Sequence, residues 1–353
     1  MQSHSAEDPV RRMRWFIALS PDGAARSAGE SIIAAFRAIA EKDAVKTFDT
    51  LAYRTAFRKL LATPDDTMAA DLLNQSLIVQ CLDFRATHLL VLALCPITLF
   101  SLDLLRRQGV ITMHWFYEDY RRATYWRDVI AGYDLFCAVQ RGAVEAWCKA
   151  HPSTRYELLP TAASLPPTAA RPDEKTVDVA FAGLPSEYRI SVLERLASGG
   201  ISLAVAGSGW ESYRGPLQQC IRGVKWTDQT ALLRSARIGI NLSKDDPADD
   251  RADAQISPRA YDILAAGAVL LTENVPLARE LLRGYSFHAF TDREDALMKA
   301  RAIIADWEAE KTTAESNRAR AASRDTYGRR VRKIIELAGE YRARDAGRRR
   351  SCA

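Results

Sequence analysis

Strand-like and helix-like segments alternate along this chain, and they do so twice, a pattern that parallel α/β sheets accommodate and few other folds do. In the first half the apolar and β-branched runs RWFIALS, AVKTFDT, THLLVLAL, GVITMHWF, YDLFCAVQ and TRYELLP are interleaved with segments of helical period such as GESIIAAFRAIAEK and DDTMAADLLNQSLIVQCL. In the second half VDVAFAG, ISLAVAG, RIGINLS, AVLLT and YSFHAF are interleaved with SEYRISVLERLAS, DQTALLRSA, PRAYDILAAG and PLARELL. Parallel strands need a crossover helix, so each half is expected to form a doubly wound sheet covered on both faces. Between them LPTAASLPPTAARPDEKT, residues 159–176, is rich in Pro, Ala and Thr and has no period, which reads as a linker. After residue 292 the pattern is helical throughout. The expected organisation is a flexible N-terminus at 1–12, a first sheet domain at 13–160, a linker at 161–176, a second sheet domain at 177–306, and C-terminal helices with a basic tail at 307–353.

The chain has 353 residues, 48% hydrophobic and 26% charged, enough for two ordinary cores and too balanced for disorder. Cys81, Cys95, Cys137, Cys148, Cys220 and Cys352 are scattered, several inside apolar runs, where a free thiol behaves as a small hydrophobe; a reduced, cytoplasmic protein is expected. The first residues lack the apolar stretch of a signal peptide, and the longest apolar run, HLLVLALCPITLF, is too short and too broken by Pro to span a bilayer. The net charge is +5, and Arg is concentrated in the last 26 residues, GRRVRKIIELAGEYRARDAGRRRSCA. That run reads as a solvated helix or as a peripheral contact for acidic lipid headgroups at the inner membrane face. Nucleic acid is not the expected partner, and a nucleic-acid enzyme would show steeply salt-dependent binding through this tail.

Two doubly wound domains joined by one linker leave a cleft lined by the carboxyl ends of strands, where open α/β sheets bind ligands. Residues just after strands are therefore the candidates. Ser257 suits a helix N-cap, Pro258 the first helical position and Gly267 the left-handed residue after the last turn, which predicts a helix over 258–266. Arg259 then opposes the helix dipole in its first turn, a misfit that disappears when an anion such as phosphate sits at that helix end. Asp262 lies one turn on, and the plain alternative is an i,i+3 ion pair with Arg259. In VAFAGLPSEYR, Gly183 ends a strand, Ser186 is a candidate N-cap and Arg189 sits early in the helix, as Arg259 does. In VAGSGW, Gly207 and Gly209 follow a strand and Trp210 either stacks on a flat ring or packs inside. Neither loop is a Walker motif or a full GxGxxG, which argues against an NTPase, a dehydrogenase or a Rossmann-type methyltransferase.

The stretches VDVAFAGLPSEYRISVLERLASGGISLAVAGSGW, ALLRSARIGINLS, SPRAYDILAAGAVLLTENVPLARELL and YSFHAFTDREDAL resemble, in order and spacing over roughly 177–300, the nucleotide-sugar half of GT-B glycosyltransferases. They are most similar to the branch with spore-maturation-type, CgeB-like proteins. The resemblance implies two Rossmann-like domains facing a cleft, a nucleotide-sugar donor, an unknown acceptor, and neither metal nor cofactor. It also implies that the acidic residue five positions before the helix-ending Gly binds the donor ribose, a relation in which Asp262 and Gly267 stand. Arg259, Arg189 and Lys244 would hold the diphosphate, and Ser243 is a further candidate for binding the donor. Retaining relatives carry a Glu eight positions before that acid; here Ala254 stands there, between Asp253 and Gln255, and the acidic stretch 243–257 either supplies the missing contact or marks lost activity. The family plan places the acceptor-side base after a strand of the first domain. In GVITMHWFYEDYRRATYW the candidates are His114, Glu118 and Asp119, with Trp115, Phe116, Tyr117, Tyr120, Tyr125 and Trp126 stacking on sugars or simply packing. Glycosyl transfer is the expected function; a non-catalytic nucleotide or glycan binder on the same fold is the alternative.

Overall fold

A computed structural model describes residues 13–21, 23–60, 65–164, 175–223, 229–249 and 251–351, with side chains to residue 344. By contact the chain divides into two units, Met1–Pro160 with Tyr327–Ala353, and Thr161–Thr326. The expectations for residues 1–12, for most of the linker and for Cys352 lie outside the described residues, as do the side chains of the last arginines.

The first unit holds β1 (Trp15–Leu19), α1 (Gly23–Ile39), β2 (Val45–Asp49), α2 (Thr50–Leu60), α3 (Asp66–Asp83), β3 (His88–Leu92), α4 (Leu99–Arg107), β4 (Ile111–Phe116), α5 (Trp126–Val129), β5 (Leu135–Ala138), α6 (Gly142–Ala150) and β6 (Arg155–Leu158). Its six strands are parallel, in the order β2-β1-β3-β4-β5-β6. Every residue of β1 and β3 is buried, which is why these strands read as continuous apolar runs rather than as alternation. Trp15, Phe16, Phe36 and Phe48 fill the packing around β1, each worth about 1.5–3 kcal/mol of burial. Helix starts follow local chemistry: Asp65 caps α3 through Thr67 N and Met68 N, and Thr98 caps α4 through Ser101 N, each worth about 1 kcal/mol.

The second unit holds β7 (Val177–Ala182), α7 (Glu187–Ser198), β8 (Leu203–Ala206), α8 (Gln229–Ser235), β9 (Ala236–Asn241), α9 (Pro258–Ala266), β10 (Val269–Glu273), α10 (Pro276–Leu281), β11 (His288–Phe290), α11 (Arg293–Ala305) and α12 (Trp307–Arg324). Its five strands are also parallel, in the order β11-β10-β9-β7-β8. Strand β7 sends alternate residues to two cores, Val179 and Phe181 to one and Ala180 to the other. The chain runs outward from β7 to β8 and then returns to build β9, β10 and β11 on the other side. The switch point is therefore between β7 and β9, where the carboxyl ends of parallel strands leave room for a ligand. A last helix, α13 (Tyr327–Ser351), belongs to the first unit and packs on α1, with Val331, Ile334, Leu337 and Ala338 fully buried.

The doubly wound α/β architecture expected from the alternation is present in both halves, strand for strand. Five described cysteines are free and buried. No described helix is long and apolar enough to cross a membrane.

Candidate active site

At the β7/β9 switch point the local sequence places α9 as expected. Ser257 occupies the N-cap, Pro258 opens the helix, and Gly267 closes it with φ 73°, the left-handed geometry that glycine adopts without a Cβ penalty. The expected capping bond is absent, however. The Ser257 hydroxyl turns to Asn241 Oδ1 at 2.6 Å, so the first turn of α9 lacks a side-chain cap. An uncapped helix start keeps backbone N–H groups available to an anion.

Arg259 rises from that first turn. Its Nε donates to Ala182 O, and its Nη1 to Asn241 Oδ1 at 3.3 Å and Leu242 O at 3.2 Å; the guanidinium carbon lies 4.9 Å from the centre of the Phe181 ring. Nη2 has no acceptor among the described residues and lies over Gly183, where a Cβ would come within 2.5 Å of it. Gly183 is thus glycine because the arginine crosses it. Burial, then the nearby Arg189, push the Arg259 pKa down to about 9, against the pull of Glu273 and Asp262. A guanidinium held this way is destabilised by its surroundings and gains from a bound anion.

Arg189 differs from the expectation of a second phosphate ligand. It is 8% exposed, and its donors go to protein carbonyls: Nε to Ser243 O at 2.9 Å, Nη1 to Leu184 O at 2.9 Å, Nη2 to Leu242 O at 3.0 Å. Its role here is a brace between the loops after β7 and β9. Ser186 does cap α7, accepting from Arg189 N at 3.3 Å. Ser243 contributes its backbone, the N–H donating to Glu273 Oε1. Lys244 is exposed.

Asp262 and Arg259 do not form the i,i+3 ion pair. Asp262 Oδ1 instead accepts from Ser164 N at 2.7 Å, and Oδ2 has no partner among the described residues. Burial raises the Asp262 pKa to about 6, against the lowering effect of the Ser164 N–H and Arg259.

In the loop after β8, Gly207 has φ 138°, and a Cβ there would meet Gly183 O at 2.3 Å; Gly209 has φ 89°. The two strand-end loops therefore touch backbone to backbone. Trp210 is not a stacking platform. It is 1% exposed, its Nε1 donates to Gly183 O at 2.7 Å, and its ring packs edge-on against Phe181. Position 254, where retaining relatives carry Glu, is Ala packed with Ile256 and Ala260 in the second core, a site closed to a carboxylate.

In the first unit the expectation for His114 is corrected. It lies inside β4 with no exposed surface, its Nδ1 donating to Val91 O at 2.8 Å and its Nε2 3.2 Å from the Tyr125 hydroxyl, with Tyr133 stacked on the ring at 4.9 Å. Burial lowers its pKa to about 3, so it is a neutral core residue and no base for an acceptor. The Tyr125 hydroxyl accepts from Leu94 N at 2.8 Å, and Leu94 has φ 64°, so the histidine and tyrosine together hold a left-handed turn after β3. Asp119 is also committed. Arg121 N and the Arg121 guanidinium bond to it; burial raises its pKa, but these bonds outweigh burial and hold it below the usual carboxylate range. Trp115, Phe116, Tyr117, Tyr120 and Trp126 are buried packing residues.

Glu118 remains. It follows β4 at its carboxyl end, is half-buried, and has no hydrogen bond or ion pair among the described residues. Burial, then Asp119, raise its pKa to about 7, against Arg122. A carboxylate poised near neutral pH, with no hydrogen bond or ion pair among the described residues, is suited to moving a proton. Glu273, at the end of β10, is a buried carboxylate that the sequence reading misses; TEN after an apolar run reads as an ordinary turn.

Residues 189–336 match a family model described as glycosyl transferase-like. Among solved structures, a glycosyltransferase from Rickettsia africae aligns with TM-score 0.65 at 11% identity over 94% of this chain and 99% of its own. Anabaena HepE in complex with UDP-glucose aligns with TM-score 0.65 at 13% identity over 93% and 100%. Sucrose-phosphate synthase from Thermosynechococcus elongatus aligns with TM-score 0.62 at 12% identity over 94% and 100%. These identities carry a likeness of fold. No curated protein matches the chain. The chain has the GT-B architecture of these structures, and its residues 189–336 match the glycosyl transferase-like family.

Proposed function

We propose that this protein transfers a sugar from a nucleoside-diphosphate donor, with the second unit binding the donor and Glu118 of the first unit acting as acceptor-side base. The observation that carries the donor half is Arg259 Nη2, left without an acceptor among the described residues, above Gly183 at the switch point and beside the uncapped start of α9. Negative charge grows on the diphosphate as the glycosidic bond breaks, and fixed donors there stabilise it without reorganising. HepE structures hold UDP and UDP-glucose, which makes uridine diphosphate sugars the first donors to try. The donor is itself a substrate, and the reading assigns neither cofactor nor metal. It takes the spore-maturation-type, CgeB-like branch as the subfamily and the cytoplasm as the compartment, which free buried thiols suit. Peripheral contact through the basic C-terminus stays part of the same proposal.

A ligand that binds only the folded state raises the melting temperature. At least one of UDP, GDP, dTDP and ADP should therefore stabilise the protein in a thermal-shift screen, and the matching monophosphate should do so less. No shift at millimolar concentration counts against the proposal. A non-catalytic binder would give the shift but no slow hydrolysis of the corresponding nucleotide sugar.

Asp262 is assigned the donor ribose through its open Oδ2. Asp262→Asn is expected to weaken donor binding by about ten-fold, the loss of roughly 1.5 kcal/mol of charge-assisted hydrogen bonding. Its effect on stability has the opposite sign. Burial raises the folded pKa to about 6 from 3.8, so the folded state binds more protons than the unfolded state between those values, and the wild type loses stability as pH rises through that window. Asn can still accept from Ser164 N and does not titrate. The variant's melting temperature should thus gain on the wild type from pH 4 to pH 6, a comparison that denaturation at several pH values provides.

A further inference from the structure

Glu273 ends β10 as a charged side chain only 3% exposed, and a buried carboxylate is costly unless its oxygens are hydrogen-bonded. Its carboxylate accepts from Ser243 N, just past the end of β9, and also meets its own backbone N–H and the Tyr188 hydroxyl of α7. The carbonyls of that same turn hold both arginines. Leu242 O accepts from Arg189 Nη2 at 3.0 Å and Arg259 Nη1 at 3.2 Å, and Ser243 O accepts from Arg189 Nε at 2.9 Å. Beneath them, the two guanidinium carbons lie 5.5 and 4.9 Å from the Phe181 ring centre. One two-residue turn is thus gripped by a carboxylate through its N–H and by two guanidinium groups through its carbonyls.

We infer that Glu273 is a positioning residue of the donor site: by holding Ser243 N–H it fixes the Leu242–Ser243 turn, and through that turn the direction in which Arg259 presents Nη2 over Gly183. The inference rests on the donor reading proposed above. Glu273 acts through the turn and Arg259, without touching the diphosphate. Burial pushes its pKa up to about 7, against the Ser243 N–H, its own N–H and the two arginines, and a carboxyl group keeps an acceptor oxygen in either protonation state. A glutamine side chain has the same acceptor at the same reach.

The test is isothermal titration of the wild type, Glu273→Ala, Glu273→Gln and Arg259→Ala with UDP, GDP and ADP, then with the monophosphate of the best binder. Glu273→Ala should weaken the diphosphate about ten-fold or more and the monophosphate less, shrinking the preference between them, while Glu273→Gln should stay within about three-fold of wild type. A structural role without positioning would leave that preference unchanged. An unchanged preference in Glu273→Ala, with Arg259→Ala losing it, overturns the inference and leaves the donor reading standing. Absence of diphosphate binding by the wild type overturns both. Should Glu273→Ala fail to fold, Glu273→Gln decides, since a ten-fold loss despite the retained acceptor overturns the positioning role.

Discussion

Replacing Glu118 by glutamine is expected to lower sugar transfer about a hundred-fold or more while leaving nucleotide affinity nearly unchanged, the usual size and signature of a lost general base. The residue earns this assignment by its isolation. Of the three polar candidates around β4, His114 is sealed in the sheet and Asp119 is tied to Arg121, whereas the Glu118 carboxylate has no hydrogen bond or ion pair among the described residues. Burial and the adjacent Asp119 raise its pKa to about 7, so near neutral pH a large fraction is ionised and still basic enough to take a proton. Deprotonation is what activates it. Transfer by the wild type should therefore climb as pH rises through about 7 and level off above, and the Gln variant should lack that rising limb. Single-turnover rates measured across pH, with donor affinity measured alongside, make the comparison. A Gln variant as fast as wild type would mean that the proton leaves by another route, such as a phosphate oxygen of the donor.

Arg259→Ala carries the second large effect, a weakening of nucleoside-diphosphate binding by roughly ten- to a hundred-fold, since charge-assisted hydrogen bonds contribute about 1.5–3 kcal/mol. The side chain also ties Ala182 O and Leu242 O across the strand ends, so part of any loss could come from a loosened loop. Arg259→Lys separates the two contributions. Lysine keeps the charge but cannot bridge β7 and β9 while also presenting a donor over Gly183, so it should recover only part of the affinity. Melting temperatures of both variants without ligand show how much of the change belongs to folding. Wild-type affinity in Arg259→Ala would remove the arginine from the donor site.

What the sequence discloses and what it hides follow from the range of the interactions involved. Strands buried on both faces, such as β1 and β3, announce themselves as unbroken apolar runs, whereas the edge strands β2 and β6 lie in the mixed runs AVKTFDT and TRYELLP. The bounds of α9 are legible because Pro258 and Gly267 act on their own backbone. The site is less legible because its contacts are distant in sequence. HWFYED gives no sign that Val91 and Tyr125 will enclose His114, and GSGW gives none that the Trp210 N–H will satisfy Gly183 O, 27 residues away. Ser257 has the right residue type and position for a cap, but Asn241 on the neighbouring strand competes for its hydroxyl. Glu273 and Ser243 are thirty residues apart and meet only because β9 and β10 are paired.

The return of α13 to the first unit bears on how the chain is made. The second unit is one continuous stretch, Thr161–Thr326, inserted between Pro160 and Tyr327, and its ends are tied by the bridge between Ala163 and Thr326. The first unit is discontinuous. Its six strands are synthesised first, yet the helix that covers α1 with Val331, Ile334 and Leu337 emerges only after the whole second unit. At a synthesis rate of about 5–20 residues per second, the surface that α13 will cover waits roughly ten seconds or longer, a period in which exposed apolar surface invites chaperones or aggregation. The unit translated first is thus completed last, and a fragment ending at Pro160 would hold every strand of its sheet while lacking the helix that closes it.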